Sequence, residues 1–139
     1  MVMIHQQFAS TAVPVRLRIL FLVHGMLQFG FGFALVVIPE ILTSLIGWGE
    51  PFDPVMSRLA GAFLLGLALG QGFAYRAETW DQVWFLYVTI LTESVVGLIA
   101  VLYMWGSGSL NAAWLIVPLF VFLTPAFAYY LRYPLASSG

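Results

Sequence analysis

Residues 80–104 read WDQVWFLYVTILTESVVGLIAVLYM, an apolar run with two acidic residues, Asp81 at its start and Glu93 near its middle. An α-helix needs about 20 consecutive, mostly apolar residues to cross the hydrocarbon core of a bilayer. This run is long enough, and Thr79 with Gln82 at its start fits the capping box of a helix N-terminus. The stretch therefore predicts a membrane-spanning helix with a carboxyl group close to the bilayer midplane.

Three other apolar runs are long enough to cross a bilayer: residues 15–38, 54–75 and 111–131. Asp53 followed by Pro54 is typical of an N-cap with proline at the first helical position. The connections are short, except between the first two runs. We therefore expect consecutive helices to be antiparallel neighbours.

The longer connection contains residues 40–48, in which Ile41, Leu45 and Trp48 share one helical face. This spacing predicts a short helix that lies in the membrane interface. The expected fold is thus all-α: an integral membrane four-helix bundle with one interfacial helix, in a single domain over residues 1–139.

The composition supports lipid as the solvent for this fold. Of 139 residues, 62% are hydrophobic and 8% are charged, whereas a soluble domain carries about 25% charged residues. The net charge of -1 gives no reason to expect nucleic acid as a partner. The chain has no cysteine, which excludes disulfides, thiolate metal sites and thiol chemistry.

The arginines predict the orientation. An N-terminus on the cytoplasmic side places Arg16, Arg18, Arg76 and Arg132 inside and only Arg58 outside. The positive-inside rule therefore favours cytoplasmic termini. All basic residues are arginine, as in GC-rich bacterial genomes, so we expect the bacterial inner membrane. The five tryptophans lie near predicted span ends, as an aromatic belt requires: Trp48, Trp80, Trp84, Trp105 and Trp114.

Arg58 lies one turn into the second span, beside an acidic outer loop. We expect it to reach the interface or to form an ion pair there with one of three acids: Glu40, Glu50 or Asp53.

The second span carries a stripe of small residues, one every four positions: Ala62, Gly66, Gly70 and Ala74. Small residues let neighbouring helices approach closely in lipid, so the stripe predicts a helix-packing seam. The alternative is a groove for a lipid, pigment, quinone or partner helix.

Four polar side chains within the spans are candidates for ligand binding or proton handling: Glu93, His24, Gln28 and Gln71. A charge at the bilayer centre costs at least about 2.5–3.5 kcal/mol, so Glu93 should face the bundle interior. His24 and Gln28 are one helical turn apart, and Gln71 lies at a similar depth, so these three are placed to converge. The alternative for each is a structural, hydrogen-bonded polar group.

No catalytic constellation is recognisable, and none of the residues is assigned a catalytic role. A metal site is not expected, because the only other histidine, His5, lies outside the spans. The sequence encodes no recognisable cofactor motif, although a lipophilic pigment or quinone would suit the apolar interior.

One region resembles a known family. Ile38-Pro39-Glu40 ends the first span, and residues 57–70, SRLAGAFLLGLALG, begin the second with an arginine followed by small residues. The first half of the chain thereby resembles small bacterial four-span proteins of the DoxX-like group. The resemblance implies the bundle, and some members of that group are linked to quinone-coupled sulfur oxidation.

Small size, short loops and the lack of an active site favour a non-catalytic accessory subunit of a larger bacterial inner-membrane complex, respiratory or photosynthetic. Its partners would be the lipid bilayer and other membrane protein subunits. Two alternatives remain: a binding module or oxidoreductase component for a lipophilic ligand (quinone, pigment or lipid), and a protein for proton or small-solute passage through Glu93.

Overall fold

The protein's structure, a computed structural model, describes residues 11–47, 53–108 and 113–132, with side chains in the last range described from residue 117 onward. The described residues form five α-helices: α1 (Val15–Val37), α2 (Pro39–Ile46), α3 (Pro54–Arg76), α4 (Trp80–Gly106) and α5 (Ala113–Tyr130). The predicted all-α class is confirmed. Trp48, residues 109–112 and the side chain of Trp114 lie outside the description.

Three of the helices, α1, α3 and α4, are long and apolar enough to cross a membrane. The side chains of α5 are described only over Val117–Tyr130, a shorter apolar helix. These helices fit a membrane protein with at least three possible spans.

Neighbouring residues explain where α3 begins and where α2 ends. Asp53 caps α3 as predicted, because its Oδ1 accepts hydrogen bonds from the backbone N of Val55 (2.8 Å) and of Met56 (3.3 Å). The helix α2 ends at Gly47, whose φ of 65° lies in the left-handed region that glycine adopts without strain. The short helix predicted over residues 40–48 is therefore present over Pro39–Ile46.

The predicted pairing of Arg58 is found with one of the three acids. Arg58 Nη2 lies 3.3 Å from Glu40 Oε1, and Arg58 Nε donates to the carbonyl oxygen of Val36. Both charged side chains are about half exposed. The pair thus joins the start of α3 to the junction of α1 and α2.

The start of α4 differs from the predicted capping box. Thr79 occupies the N-cap position but its side chain makes no capping hydrogen bond, and Gln82 Oε1 accepts from the backbone N of Glu78 (3.0 Å). Thr79 instead forms an isolated antiparallel bridge with Ala12. The backbone before α1 bonds on either side of Thr79: Trp80 N donates to the carbonyl oxygen of Thr11, and Val13 N donates to that of Glu78.

The helices pack as two pairs, α1 against α3 and α4 against α5, with fewer contacts between the pairs. The closest approach of α1 and α3 is at Gly32 and Gly61. A Cβ added to Gly61 would lie 2.6 Å from the carbonyl oxygen of Gly32. The backbones touch here because neither residue has a side chain.

The small-residue stripe of α3 is divided between two environments. Ala74 is buried, and a Cβ added to Gly70 would lie 3.4 Å from a methyl of Leu86. Ala62 and Gly66 are exposed within this chain, and an added Cβ at Gly66 meets nothing within 4 Å. The α1–α3 contact uses the neighbouring face, which carries Gly61.

A core cluster lies at the end of the bundle where α1 and α4 begin and α3 ends. It contains these buried residues: Val13, Leu17, Phe21, Ala74, Ala77, Trp80, Val83, Tyr87, Ile90, Leu123 and Phe127. Trp80 is fully buried in this core, so its assignment to an aromatic belt is wrong. The segment before α1 pairs with the backbone of residues 78–80, which explains why Trp80 is covered.

Candidate functional site

The four polar side chains singled out from the sequence form one hydrogen-bonded chain across three helices. His24 and Gln28 come from α1, Gln71 from α3 and Glu93 from the midpoint of α4. His24 Nδ1 lies 2.9 Å from Gln71 Oε1, Gln71 Nε2 donates to Gln28 Oε1, and Gln28 Nε2 donates to Glu93 Oε1 at 2.5 Å. The last bond connects one helix pair to the other.

Helical spacing accounts for this convergence. His24 and Gln28 are separated by about one turn of α1, so both face the same side. Gln71 lies opposite them because α3 packs along α1 through Gly25, where an added Cβ would lie 3.1 Å from Gln71 Cβ. The glycine therefore makes room for the glutamine that joins His24 to Gln28.

The chain is shielded from solvent. Gln71 is fully buried, and His24 and Gln28 are buried with 6% of their surface exposed. Glu93 is partly buried, yet its second carboxyl oxygen, Oε2, is inaccessible and has no hydrogen-bond partner among the described residues. Buried polar atoms without a partner are rare and costly, so this atom needs an explanation.

A cavity of about 260 Å³ adjoins this chain. His24, Gln28 and Glu93 supply its polar wall, whereas Gln71 lies behind them and does not line it. The rest of the wall is apolar and comes from α1, α3 and α5: Leu27, Phe31, Leu64, Leu119, Phe120 and Leu123. The cavity thus lies where the two helix pairs meet, with the carboxyl group at its edge.

The position of the α5 wall depends on a glycine that the site prediction did not include. A Cβ added to Gly97 would clash with Cε1 of Phe120, so the ring of Phe120 rests directly against α4. Gly97 follows Glu93 by four residues and therefore shares its helical face. That spacing was the one signal in the sequence for this contact.

Two further contacts between α4 and α5 were also not predicted. Tyr87 Oη donates to the carbonyl oxygen of Phe127 at 2.6 Å, and Thr124 Oγ1 donates to the carbonyl oxygen of Ser94 at 3.2 Å. These bonds hold α5 against the face of α4 that carries Glu93. Nothing in the sequence indicates them, because each acceptor is a backbone carbonyl.

The apolar core closes one end of the polar chain. The ring of His24 packs edge-on against Phe127, with the ring centroids 5.4 Å apart. Beyond it, toward the first residues of α1, lie the fully buried side chains of Leu17 and Phe21. Through the described residues, no hydrogen-bonded path continues from His24 to that end of the bundle.

A second cavity, of about 220 Å³, lies on the outer face of α1 and α3. Its lining includes Leu22, Met26, Phe29 and Leu69 and has no polar side chain. It can hold an acyl chain or a partner side chain, but it offers no directional chemistry.

Within the described part of the chain, no group of three or more histidine, cysteine or acidic side chains is placed to hold a metal ion. Comparison with family models, curated proteins and solved structures finds no match to this chain.

Proposed function

We propose that this protein is a four-span membrane protein, with α5 as the fourth span, that binds a small lipophilic molecule between its helix pairs. The molecule is a quinone, a pigment or a lipid, and Glu93 is its polar anchor. One observation carries the proposal: the buried, unpartnered Oε2 of Glu93 belongs to a residue that lines a largely apolar cavity.

An unpartnered buried oxygen costs about 1–3 kcal/mol, and more if the group is charged. A bound molecule with a complementary polar group removes that cost. Ligand sites in proteins are concave, mostly apolar and equipped with a few polar groups that fix the orientation. The cavity beside Glu93 has these features, whereas the second cavity lacks the polar groups.

The size of the cavity limits what it holds. An engineered cavity of about 150 Å³ binds benzene, so a cavity of about 260 Å³ has room for a two-ring group. A longer apolar tail would extend between the helices into the lipid. We therefore propose that the cavity holds the head of an amphiphile.

The hydrogen bonds of the polar chain orient the carboxyl group of Glu93 for ligand binding. Gln28 fixes Oε1 of Glu93, and Gln71 fixes Gln28 in turn. The carboxyl group is thus held in one orientation before a ligand arrives, which lowers the ordering cost of binding. No catalytic step is part of this proposal.

Organic extraction of the purified protein tests the proposal. We expect mass spectrometry to find one lipophilic species at near-equal molar ratio in the wild type and to find it strongly depleted in Glu93→Leu. Glu78→Gln is the matched control, because Glu78 is an exposed acid remote from the cavity lining. Equal recovery from Glu93→Leu and the wild type would contradict the proposal.

We also propose that the chain is an accessory subunit of a larger bacterial inner-membrane complex. The supporting observation is the exposure of Ala62 and Gly66 on α3, where a smooth helix surface faces away from this chain. Small residues are characteristic of helix–helix interfaces in lipid. Ligand binding and a subunit role are compatible.

Purification in mild detergent tests the subunit role. We expect partner chains at fixed stoichiometry with the wild type and their loss with Gly66→Ile, which places a branched side chain on the smooth surface. A monomer that retains ligand and recovers no partner would contradict the subunit role and leave the binding function intact.

Passage of protons through Glu93 has less support than either proposal. Leu17 and Phe21 close the end of the polar chain beyond His24, as described above. Proteoliposomes are expected to show no proton flux that depends on Glu93, and a flux abolished by Glu93→Gln would reinstate this function.

A further inference from the structure

The hydrogen bonds of the polar chain fix which atoms donate and which accept. Gln28 gives its Nε2 to Glu93, so its Oε1 faces Gln71, which must then present its own Nε2. The Oε1 of Gln71 consequently faces His24, and Nδ1 of the imidazole must carry the hydrogen. The orientation of the Gln28 amide therefore determines the donor and the acceptor of every hydrogen bond in the chain.

The donor-to-acceptor direction of these hydrogen bonds affects the charge on Glu93. Both amide dipoles point their positive ends toward its carboxyl group, which stabilises negative charge on that group. Oε1 accepts from Gln28, and Oε2 is the buried atom that no described residue pairs with. In the carboxylate form this group has only acceptors, and Oε2 is then an acceptor without a donor.

We infer that Glu93 holds its ligand as the carboxylate and that this ligand carries a hydroxyl group, which donates its hydrogen to Oε2 of Glu93; this inference rests on the proposed binding function. A ligand carbonyl or ether would place one lone pair against another at Oε2. The apolar walls contributed by Leu64, Leu123 and Phe120 accept the rest of the molecule. The ligand class is thus a lipophilic phenol or alcohol, which among the proposed ligands includes the reduced, quinol form of a quinone, and not a ketone or an ether.

Three probes that share one ring system separate these classes: 2-naphthol, 2-methoxynaphthalene and 2-acetylnaphthalene. Equilibrium dialysis against the full-length protein in lipid nanodiscs, with empty nanodiscs as the reference, subtracts partition into lipid. Because hydrogen bonds to charged groups contribute about 1.5–3 kcal/mol, we expect 2-naphthol to bind the wild type about ten- to a hundredfold more tightly than the other two.

The Glu93→Gln variant sharpens the test. Its amide oxygen can accept from Gln28 as Oε1 of Glu93 does, which leaves an NH₂ group in place of Oε2. We expect this variant to lose the preference for 2-naphthol and to gain affinity for 2-acetylnaphthalene. The control Glu78→Gln makes the same chemical change at an exposed site and should keep the wild-type order.

The outcomes distinguish the two proposals. If the ether or the ketone binds the wild type as tightly as 2-naphthol, and binding is lost in Glu93→Leu, the hydroxyl inference is overturned and the binding function stands. If none of the probes binds the wild type more tightly than Glu93→Leu, both are overturned.

Discussion

The side-chain amide of Gln28 makes two contacts at once, donating to Glu93 and accepting from Gln71. A glutamine suits this position because it offers a donor and an acceptor on one planar group. A leucine of similar size offers neither. Replacing Gln28 therefore breaks two hydrogen bonds of the polar chain, in addition to any effect on packing.

We predict that Gln28→Leu lowers the free energy of unfolding by about 1–3 kcal/mol, because it leaves Oε1 of Glu93 and Nε2 of Gln71 without partners. Glu93→Leu should lower it as well, and the double variant should lose less than the sum. The expected coupling is about 0.6–1.7 kcal/mol, between the mean and the largest value for polar contacts within membranes. Unfolding of each variant by SDS in mixed micelles measures these energies, and strict additivity would contradict a direct bond.

Two glycines of α3 give a matched pair for the helix contact. Gly61→Ala should destabilise the protein by about 1–3 kcal/mol, because the added methyl meets the backbone oxygen of Gly32 and the helices must separate. Gly66→Ala on the same helix meets nothing within 4 Å and should be neutral or slightly stabilising. The same unfolding assay applies, and equal effects at both positions would show that α1 and α3 do not meet at Gly61.

At the scale of elements, the bond from Tyr87 to the carbonyl oxygen of Phe127 ties α4 to α5. Tyr87→Phe keeps the ring and removes the donor, so we predict a loss of about 0.5–1.5 kcal/mol in the free energy of unfolding. Tyr103→Phe is the control on the same helix, because Tyr103 is 77% exposed. If the two variants unfold at the same midpoint, α5 is not held through this bond.

The bounds of the helices could be predicted closely because they depend on local chemistry. The start of α3 can be predicted from neighbouring residues alone, because the Asp53-Pro54 cap comes directly before a long apolar run. Neighbouring residues alone do not decide whether the capping box predicted at Thr79 forms. The predicted cap bond of Thr79 is absent, and the residues on either side of Thr79 bond to the backbone near Ala12, which is distant in sequence.

The candidate site could be predicted in part for the same reason. His24, Gln28, Gln71 and Glu93 are conspicuous because polar side chains in lipid must find partners. The similar depth of His24, Gln28 and Gln71 predicts that these three converge, whereas the bond from Gln28 to Glu93 was not predicted. Which of these side chains bond to each other depends on how each helix is rotated about its axis. The distribution of apolar residues along the helices does not determine that rotation. The contact of Phe120 with Gly97 was missed because its one signal, the four-residue spacing of Glu93 and Gly97, does not indicate which side chain lies opposite the glycine.

At the scale of the whole molecule, two helix pairs enclose the cavity, and one end is sealed by the core cluster around Trp80. The bridge from Ala12 to Thr79 places the start of α1 beside the start of α4. The 27 residues of α4 then span about 40 Å at 1.5 Å per residue, which separates Ser107 from that end.

Single cysteines test this topology cleanly, because the chain has none of its own. In intact bacterial cells, we predict that a membrane-impermeant maleimide labels Ser107→Cys but labels Ala12→Cys only after the membrane is permeabilised. Labelling of both from outside would contradict the crossing of α4, and the reverse pattern would contradict the orientation that the arginines predict.

The polar chain presents the carboxyl group of Glu93 to a cavity between the helix pairs, and the bond from Gln28 to Glu93 can be measured directly. Solid-state NMR of the protein in bilayers, with ¹⁵N-labelled glutamine and ¹³C-labelled glutamate, measures the distance from Gln28 Nε2 to the carboxyl carbon of Glu93. We predict a contact within about 4 Å, set by the hydrogen-bond length, that disappears in Gln28→Leu. A wild-type spectrum without this contact would contradict it.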